Sequence, residues 1–171
     1  MSAVRVRRQV LDRVLRHARR TLPEECCGLL IGRDLRVEWA QPAPNLRSSP
    51  DRFLVDPAAH FAAIRLARAL GLEVIGAYHS HPVGAAAPSA IDRAEAHDPE
   101  LLHLIVAPSA PPSGRFGLFR LAGGDVERLD IARFGTTAGW WRVQLRVRCA
   151  ARAGRAGVSR SPARRDGSGR S

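Results

Sequence analysis

A four-residue spacing of apolar positions marks the first element of the chain. These positions, separated by arginines and other polar residues, are Val6, Val10, Val14 and Ala18. Residues four apart lie on one face of a helix, so the spacing predicts an amphipathic helix over about residues 4–20, ended by Pro23. A second helix is predicted to run to about Leu70, because Asp56 and Pro57 suit the N-cap and the first helical position.

Short apolar runs predict the strands. Three runs read as buried strands, over residues 27–32, 72–78 and 101–107. Residues 36–40 alternate between apolar and polar, which predicts a hairpin partner for the first run, and residues 41–50 are expected to form a loop because they contain three prolines.

The remaining segments complete the fold prediction. Residues 88–97 resemble a helix opened by Ser89, and residues 115–121 and 125–131 flank an Ala-Gly-Gly turn, which predicts a closing hairpin. Helices and strands mix without strict alternation. The expected fold class is therefore α/β, with one mixed β-sheet flanked by helices.

Composition divides the chain into two parts. The net charge is +11 over 171 residues, but residues 135–171 hold nine arginines and one acid, a net charge of +8. Residues 1–134 therefore carry only +3 and are expected to be the folded domain, with a largely disordered arginine-rich tail after it. Nucleic-acid binding by the domain is not expected. A cytoplasmic location is predicted because no apolar run reaches the roughly 20 residues of a membrane span and no secretory signal is recognisable.

Two histidines lie where the second apolar run ends. His79 and His81 are two residues apart, a spacing that places both side chains on one face of a strand. Asp92 follows on the predicted short helix. Two imidazoles and one carboxylate form a three-ligand set that suits a catalytic zinc ion, with a fourth position left for water.

Other interpretations of these residues stay open on the spacing alone. Ser89 and Asp92 have the spacing of a capping box, which needs no metal. Activation of a water requires a base, for which Glu25 is the candidate because it enters a buried apolar run; Glu24 is its rival. The other histidines are interpreted as ordinary core or surface residues: His17, His60, His97 and His103.

The adjacent cysteines have a simpler interpretation. Cys26 and Cys27 are neighbours in the chain, and vicinal cysteines rarely form a disulfide. They are therefore expected to be small, largely buried residues of the apolar run that they open.

Taken together, these residues resemble a known family. The chain has His-Ser-His, seven residues, Ser, two residues and Asp over residues 79–92, which is the motif of the JAMM (MPN-plus) zinc metallopeptidases. The segment over residues 23–28 is similar to the Pro-x-Glu-x-Cys-Gly segment of the short bacterial members. Asn45, Phe53 and the pair Asp56-Pro57 also fall where such members carry them. The resemblance covers about residues 4–131.

The resemblance implies a fold, a site and a reaction. The fold would be the MPN domain, which is related to cytidine deaminases. One zinc ion per chain would be held by His79, His81 and Asp92, with Glu25 as general base and Ser89 stabilising the oxyanion or orienting the water. The reaction would be hydrolysis of a peptide or isopeptide bond.

The resemblance also implies a substrate class. Bacterial members are thought to cleave after the C-terminal diglycine of ubiquitin-like sulfur-carrier proteins related to ThiS and MoaD, or of adducts such as carrier–cysteine. Residues 83–88 form a short segment without the large insertions of eukaryotic members, which argues against linkage-specific deubiquitination. The alternatives are a catalytically silent MPN scaffold, although no metal ligand is missing, and a nucleic-acid-binding role for the tail.

Overall fold

The computed structural model describes residues 3–135, which form one eight-stranded sheet and three helices. The strands are β1 (Val4–Arg7), β2 (Cys27–Arg33), β3 (Arg36–Ala43), β4 (Glu73–Ser80), β5 (Leu102–Val106), β6 (Phe116–Ala122), β7 (Asp125–Leu129) and β8 (Ile131–Phe134). The helices are α1 (Arg8–Thr21), α2 (Pro57–Ala69) and α3 (Ala90–Glu95). The predictions made for the arginine-rich tail lie outside the described residues, apart from Gly135.

The sheet curls enough to bring one end of each outer strand together, although these two strands are not paired with each other. Its strand order is β7-β6-β5-β4-β2-β3-β1-β8, so consecutive strands β7 and β8 stand at opposite ends of the order. Asp130 alone links them, and β8 pairs in parallel with β1. Parallel pairs (β1 with β3 and β8, β4 with β5) and antiparallel pairs occur together, which confirms the predicted mixed sheet.

Helices cover both faces of this sheet. The apolar stripe of α1 packs into one core with residues of seven strands, whereas α2 packs on the other face against Leu29, Ile31 and Trp39. Successive residues of a strand point to opposite faces, so Leu30 enters the α1 core while its neighbours enter the α2 core. Coverage of both faces explains why β2 is a continuous apolar run. No helix among residues 3–135 is long and apolar enough to cross a membrane.

The chain begins differently from the prediction. The helix predicted over residues 4–20 begins only at Arg8, and the four residues before it form strand β1. Val4 and Val6 are buried and Arg5 is exposed, which is the two-residue period of a strand. The four-residue spacing still identifies the buried face of α1, which continues from Val10.

Two other boundaries also differ. Strand β3 extends through Ala43 into the predicted loop and includes Pro42, which a strand tolerates there because β1 pairs only with the beginning of β3. The last predicted strand, residues 125–131, is two strands: it breaks at Asp130 where the chain passes from one end of the sheet to the other. The β6–β7 hairpin, the N-cap of α2 by Asp56 and the short helix opened by Ser89 are confirmed.

A partly exposed ion cluster joins β1 to β3. Arg7 Nε donates to Glu38 Oε2 at 2.8 Å, and Arg36 donates to the other carboxylate oxygen. Burial alone would raise the pKa of Glu38, but the hydrogen bonds from Arg36 and Arg7 lower it below its ordinary value. The charged form of Glu38 therefore stabilises the first strand pair.

Candidate metal centre

Both histidines lie where β4 ends. His79 is buried and pairs with Cys27 of β2 and Ile105 of β5, whereas His81 is just past the strand and donates its backbone N–H to Val106 at 2.9 Å. The ring centroids are 4.9 Å apart and the two Nε2 atoms 3.1 Å apart. The structure thus brings the two imidazoles together as their spacing predicts.

The short segment after β4 orients the second ring. The Nδ1 atom of His81 lies 3.0 Å from the backbone carbonyl oxygen of Ala85. A carbonyl oxygen only accepts, so Nδ1 carries the proton in this pair and Nε2 is left to face His79. Through this contact, the segment over residues 82–88 fixes the tautomer of His81. That the segment is short is evident from the sequence. The contact itself could not be predicted from the sequence, because every residue has a backbone carbonyl.

Asp92 reaches the same point from α3. One carboxylate oxygen lies 3.1 Å from His79 Nε2 and the other 3.4 Å from His81 Nε2. The capping box is also present: Ser89 Oγ accepts from the backbone N–H of Asp92 at 3.1 Å, and the Ser89 N–H donates to Asp92 Oδ2 at 2.7 Å. The cap and the contact with the histidines therefore coexist.

Glu25 is the acid that faces this cluster. Its side chain is buried and its Oε1 lies 3.9 Å from His81 Nε2, whereas Glu24 is exposed. Burial raises the pKa of Glu25 to about 7, and the nearby His81 opposes this shift while Asp92 adds to it. A carboxyl group with a pKa near neutrality can both accept and return a proton.

The pKa values of the three clustered side chains shift in different directions. Burial lowers the pKa of His79 and favours its neutral ring. Burial also disfavours the charged form of Asp92, but hydrogen bonds with His79 and then His81 hold its pKa well below its usual range. Burial opposes the charged form of His81 too, but its bonds with Asp92 and the Ala85 carbonyl raise its pKa. The cluster thus places an ionised carboxylate beside two ring nitrogens.

The donor geometry fits a small divalent cation. One ligand atom from each of His79, His81 and Asp92 lies within 4.8 Å of the others, the group of this kind found among residues 3–135. The two Nε2 atoms are 3.1 Å apart, and the nearest nitrogen–oxygen separations are 3.1 Å from His79 to Asp92 Oδ1 and 3.4 Å from His81 to Asp92 Oδ2. Bonds of about 2.0–2.1 Å in a tetrahedron separate ligand atoms by roughly 3.3 Å, which is the spacing seen here.

The remaining histidines and the adjacent cysteines have the environments expected of them. His60 and His97 are exposed, His17 Nδ1 lies 2.9 Å from the Tyr78 hydroxyl, and His103 is half-buried in β5. The two vicinal cysteines, Cys26 and Cys27, are buried and not joined in a disulfide.

Two contacts at the cluster were not predicted. Phe53 stacks on the His79 ring with a centroid separation of 4.5 Å and an angle of 19° between the planes. Ser80, between the two histidines, accepts from the backbone N–H of Cys26 at 2.8 Å and so ties β4 to the segment that follows Glu25. The family resemblance includes Phe53, but no local spacing links it to a histidine 26 residues away.

Comparison with known proteins settles the family. Residues 7–119 match the family described as prokaryotic homologs of the JAB domain. The chain belongs to this prokaryotic JAB family. The resemblance to JAMM proteins drawn from the motif is thereby confirmed.

Three curated relatives give the range of similarity. A desampylase from Haloferax volcanii is 33% identical over 128 residues, 71% of this chain and 89% of the relative. A probable TtuB-protein conjugate cleaving protease from Thermus thermophilus is 40% identical over 92 residues, 53% of this chain and 62% of the relative. A CysO-cysteine peptidase from Mycobacterium tuberculosis is 28% identical over 123 residues, 71% of this chain and 84% of the relative.

Two solved structures support the fold. A protein from Desulfitobacterium hafniense, solved in solution, is 34% identical and superposes with a TM-score of 0.71 over 77% of this chain and 93% of that one. A crystal structure of a JAB1/MPN domain protein from Archaeoglobus fulgidus is 20% identical, with a TM-score of 0.53 over 77% of this chain and 100% of that one. The predicted MPN-type mixed sheet is confirmed.

Proposed function

We propose that this JAB-family protein is a zinc-dependent peptidase that cleaves after the C-terminal diglycine of a ubiquitin-like sulfur-carrier protein, in a conjugate or in an adduct such as carrier–cysteine. The observation that carries the proposal is the convergence of His79, His81 and Asp92 beside the buried carboxylate of Glu25. The hydrolase class is confirmed by the relatives, which are named as a desampylase, a protease and a peptidase.

The metal assignment follows from the donor set. His79, His81 and Asp92 would hold the ion, and two imidazoles with one carboxylate are a set that suits catalytic zinc. Zinc, when bound, supplies Lewis-acid polarisation of a carbonyl and acidifies water. The ionised state of Asp92 and the neutral state of His79 are those that a ligand requires.

Glu25 would manage the proton. Its carboxylate faces the cluster from the segment just before β2, at 3.9 Å from His81 Nε2, within reach of a water molecule placed between them. It would take a proton from the attacking water and return it to the leaving amine. Glu24 is exposed, so the structure favours Glu25 over its rival.

Ser89 would add a hydrogen bond to the oxyanion. Its Oγ accepts from the Asp92 N–H, and accepting that bond does not use the hydroxyl hydrogen. The hydroxyl hydrogen is therefore available to stabilise charge that develops on a substrate carbonyl oxygen. Helix capping and this role are compatible in one side chain.

The substrate class rests on the relatives. Their names describe cleavage of protein conjugates and of a carrier–cysteine species, and the first of them is matched over 89% of its length. Specialisation of this chain for a carrier related to ThiS or MoaD is our proposal, as is a cytoplasmic location. A catalytically silent scaffold is disfavoured because the ligand set and the acid are complete.

Metal analysis and product identification test the proposal. Purified protein is expected to contain about one zinc ion per chain. Sulfur-carrier conjugates, ubiquitin conjugates and plain peptides should be incubated with it and the products identified by mass spectrometry. Release of a carrier that ends in diglycine supports the proposal; folded protein that binds no zinc, or leaves every carrier conjugate intact, refutes it.

A further inference from the structure

One loop contacts the segments that carry three residues of the proposed centre. The β3–α2 loop, residues 44–56, connects Ala43 to Pro57 and is folded back on itself through an isolated bridge between Asn45 and Val55. It contacts the Glu25 backbone, the His79 ring and the side chain of Glu95 on the helix that carries Asp92.

The loop holds both peptide groups of Glu25. The Glu25 N–H donates to the Ser49 carbonyl at 2.9 Å, and the Glu25 carbonyl accepts from Asn45 Nδ2 at 3.1 Å. Glu25 precedes β2, which begins at Cys27, so ladder hydrogen bonds do not fix its backbone. The next residue, Cys26, is hydrogen-bonded to Ser80 of β4, so the position of the buried carboxylate depends on the loop together with this contact.

The Asn45 side chain organises the loop itself. Its Nδ2 donates to the Glu25 carbonyl and to the Arg52 carbonyl, each at 3.1 Å, while its Oδ1 accepts from the N–H groups of Arg47 at 3.0 Å and Leu54 at 2.9 Å. An amide has two donor hydrogens and two acceptor lone pairs, so all four are used. Because every hydrogen-bonding position of the side chain is used, we infer that Asn45 has a specific structural role in the loop.

Phe53 lies at the other end of the same loop. Its ring is nearly parallel to the His79 imidazole at 4.5 Å between centroids, and the His79 side chain is itself buried. A stacked ring restricts rotation of the imidazole plane, on which the direction of the Nε2 lone pair depends. The contact between Arg47 and Glu95, at 3.4 Å, is exposed and contributes little.

We propose that the β3–α2 loop positions the centre, with Phe53 fixing the ring plane of His79 and Asn45 fixing the backbone of Glu25. The inference rests on the proposed function, in which His79 is a metal ligand and Glu25 the base. Phe53 and Asn45 are positioning residues, because each acts through another residue. Their effects are separable: loss of Phe53 weakens metal binding, whereas loss of the Asn45 donor slows turnover.

The Phe53 test compares metal affinity with a signal from the metal-free protein. Phe53→Leu is expected to weaken zinc binding about 10- to 100-fold in a chelator competition. Phe53→Tyr keeps a ring and is expected to restore affinity. Phe61→Leu is the matched control, since Phe61 is 63% exposed on α2. In proton NMR of metal-free protein, the ring-current shift of the His79 carbon-bound protons should persist in Phe53→Tyr and disappear in Phe53→Leu.

The Asn45 test separates its donor half from its acceptor half. Asn45→Asp keeps an oxygen that accepts from Arg47 and Leu54, but it can donate neither to the Glu25 carbonyl nor to the Arg52 carbonyl. Zinc affinity is expected to stay at the wild-type value while kcat of the zinc-loaded enzyme falls roughly 10- to 100-fold, because a misplaced base is a poor one.

The outcomes distinguish the two levels of the argument. Wild-type protein that binds no zinc refutes the proposed function, and the NMR shift still tests the stack. Wild-type protein that binds zinc, with Phe53→Leu binding it equally well, overturns the role of Phe53. Unchanged kcat in Asn45→Asp overturns the role of Asn45.

Discussion

Removal of the Ser89 hydroxyl should weaken metal binding through the helix it caps. Helix α3 has six residues, none of them buried, so packing does little to hold it. Its N-terminus is held by the reciprocal bonds between Ser89 and Asp92, at 3.1 and 2.7 Å. Ser89→Ala removes the bond that Ser89 Oγ accepts from the Asp92 N–H, and the helix then presents the Asp92 carboxylate less often in the geometry that faces both histidines.

The size of the effect follows from the cap. Replacement of an N-cap serine by alanine costs about 1 kcal/mol, with a range of roughly 0.5–2 kcal/mol. If α3 must be ordered to bind metal, this free energy is subtracted from the free energy of binding. A cost of about 1 kcal/mol raises the zinc Kd about fivefold, and the range corresponds to roughly 2- to 30-fold.

Zinc titration against a chelator measures this change, with Ser89→Asn as the matched variant. Asparagine caps helices as well as serine, so Ser89→Asn should restore the wild-type Kd. Turnover of Ser89→Ala at saturating zinc then isolates the hydroxyl, whose loss as an oxyanion donor should cost about 100- to 1,000-fold in kcat. A Kd for Ser89→Ala equal to that of wild type, or a Ser89→Asn Kd no better than that of Ser89→Ala, would refute the capping argument.

Three further predictions concern substitutions of the proposed base, of one proposed metal ligand and of a glutamate in the β1–β3 ion cluster. Glu25→Gln should retain zinc but lose about 100- to 10,000-fold in turnover, whereas Glu24→Gln should be active; full turnover in Glu25→Gln contradicts its assignment as base. His79→Ala should lose bound zinc in metal analysis while His97→Ala, an exposed control, keeps it; a zinc-loaded His79→Ala would exclude His79 as a ligand. Glu38→Gln should lower the free energy of unfolding by about 1–2 kcal/mol at pH 7. The folded-state pKa of Glu38 is lowered, so this stabilisation is present above the ordinary glutamate pKa of about 4.3 and is lost as the pH falls through the folded-state pKa. Denaturant titrations that find the same difference in unfolding free energy between the two proteins well below the folded-state pKa would contradict this prediction.

The sequence predicted those features that local spacing determines. The pair His79 and His81, two residues apart at a strand end, converges as expected, and the four-residue spacing from Val10 onward marks the buried face of α1. The cap at Ser89 was also evident from a three-residue separation. Each of these is set by the geometry of a single helix or strand, so no knowledge of the tertiary fold was needed.

Features that depend on the curl of the sheet were not predictable. Val4 and Val6 lie in a strand because β1 is paired on one side with β3 and on the other with β8, which lies more than 120 residues later in the chain. When the strand partners are not known, two valines two residues apart before an amphipathic helix are equally consistent with the first turn of that helix. The stack of Phe53 on His79 likewise depends on how a loop folds over β4. Where the local pattern fits more than one structure, contacts with residues distant in sequence therefore determine which structure forms.

The two interpretations of Asp92 from sequence, a helix cap and a metal ligand, are compatible in one arrangement: the cap is present, and the same carboxylate faces the histidines. Its Oδ2 accepts from the Ser89 N–H at 2.7 Å, and its Oδ1 faces His79 Nε2 at 3.1 Å. The capping bond fixes the carboxylate plane, and this orientation aims the second oxygen at the histidines. A six-residue helix without a buried face needs such a constraint to present a ligand reproducibly. The cap is therefore the reason that so short a helix can carry a ligand of the proposed centre.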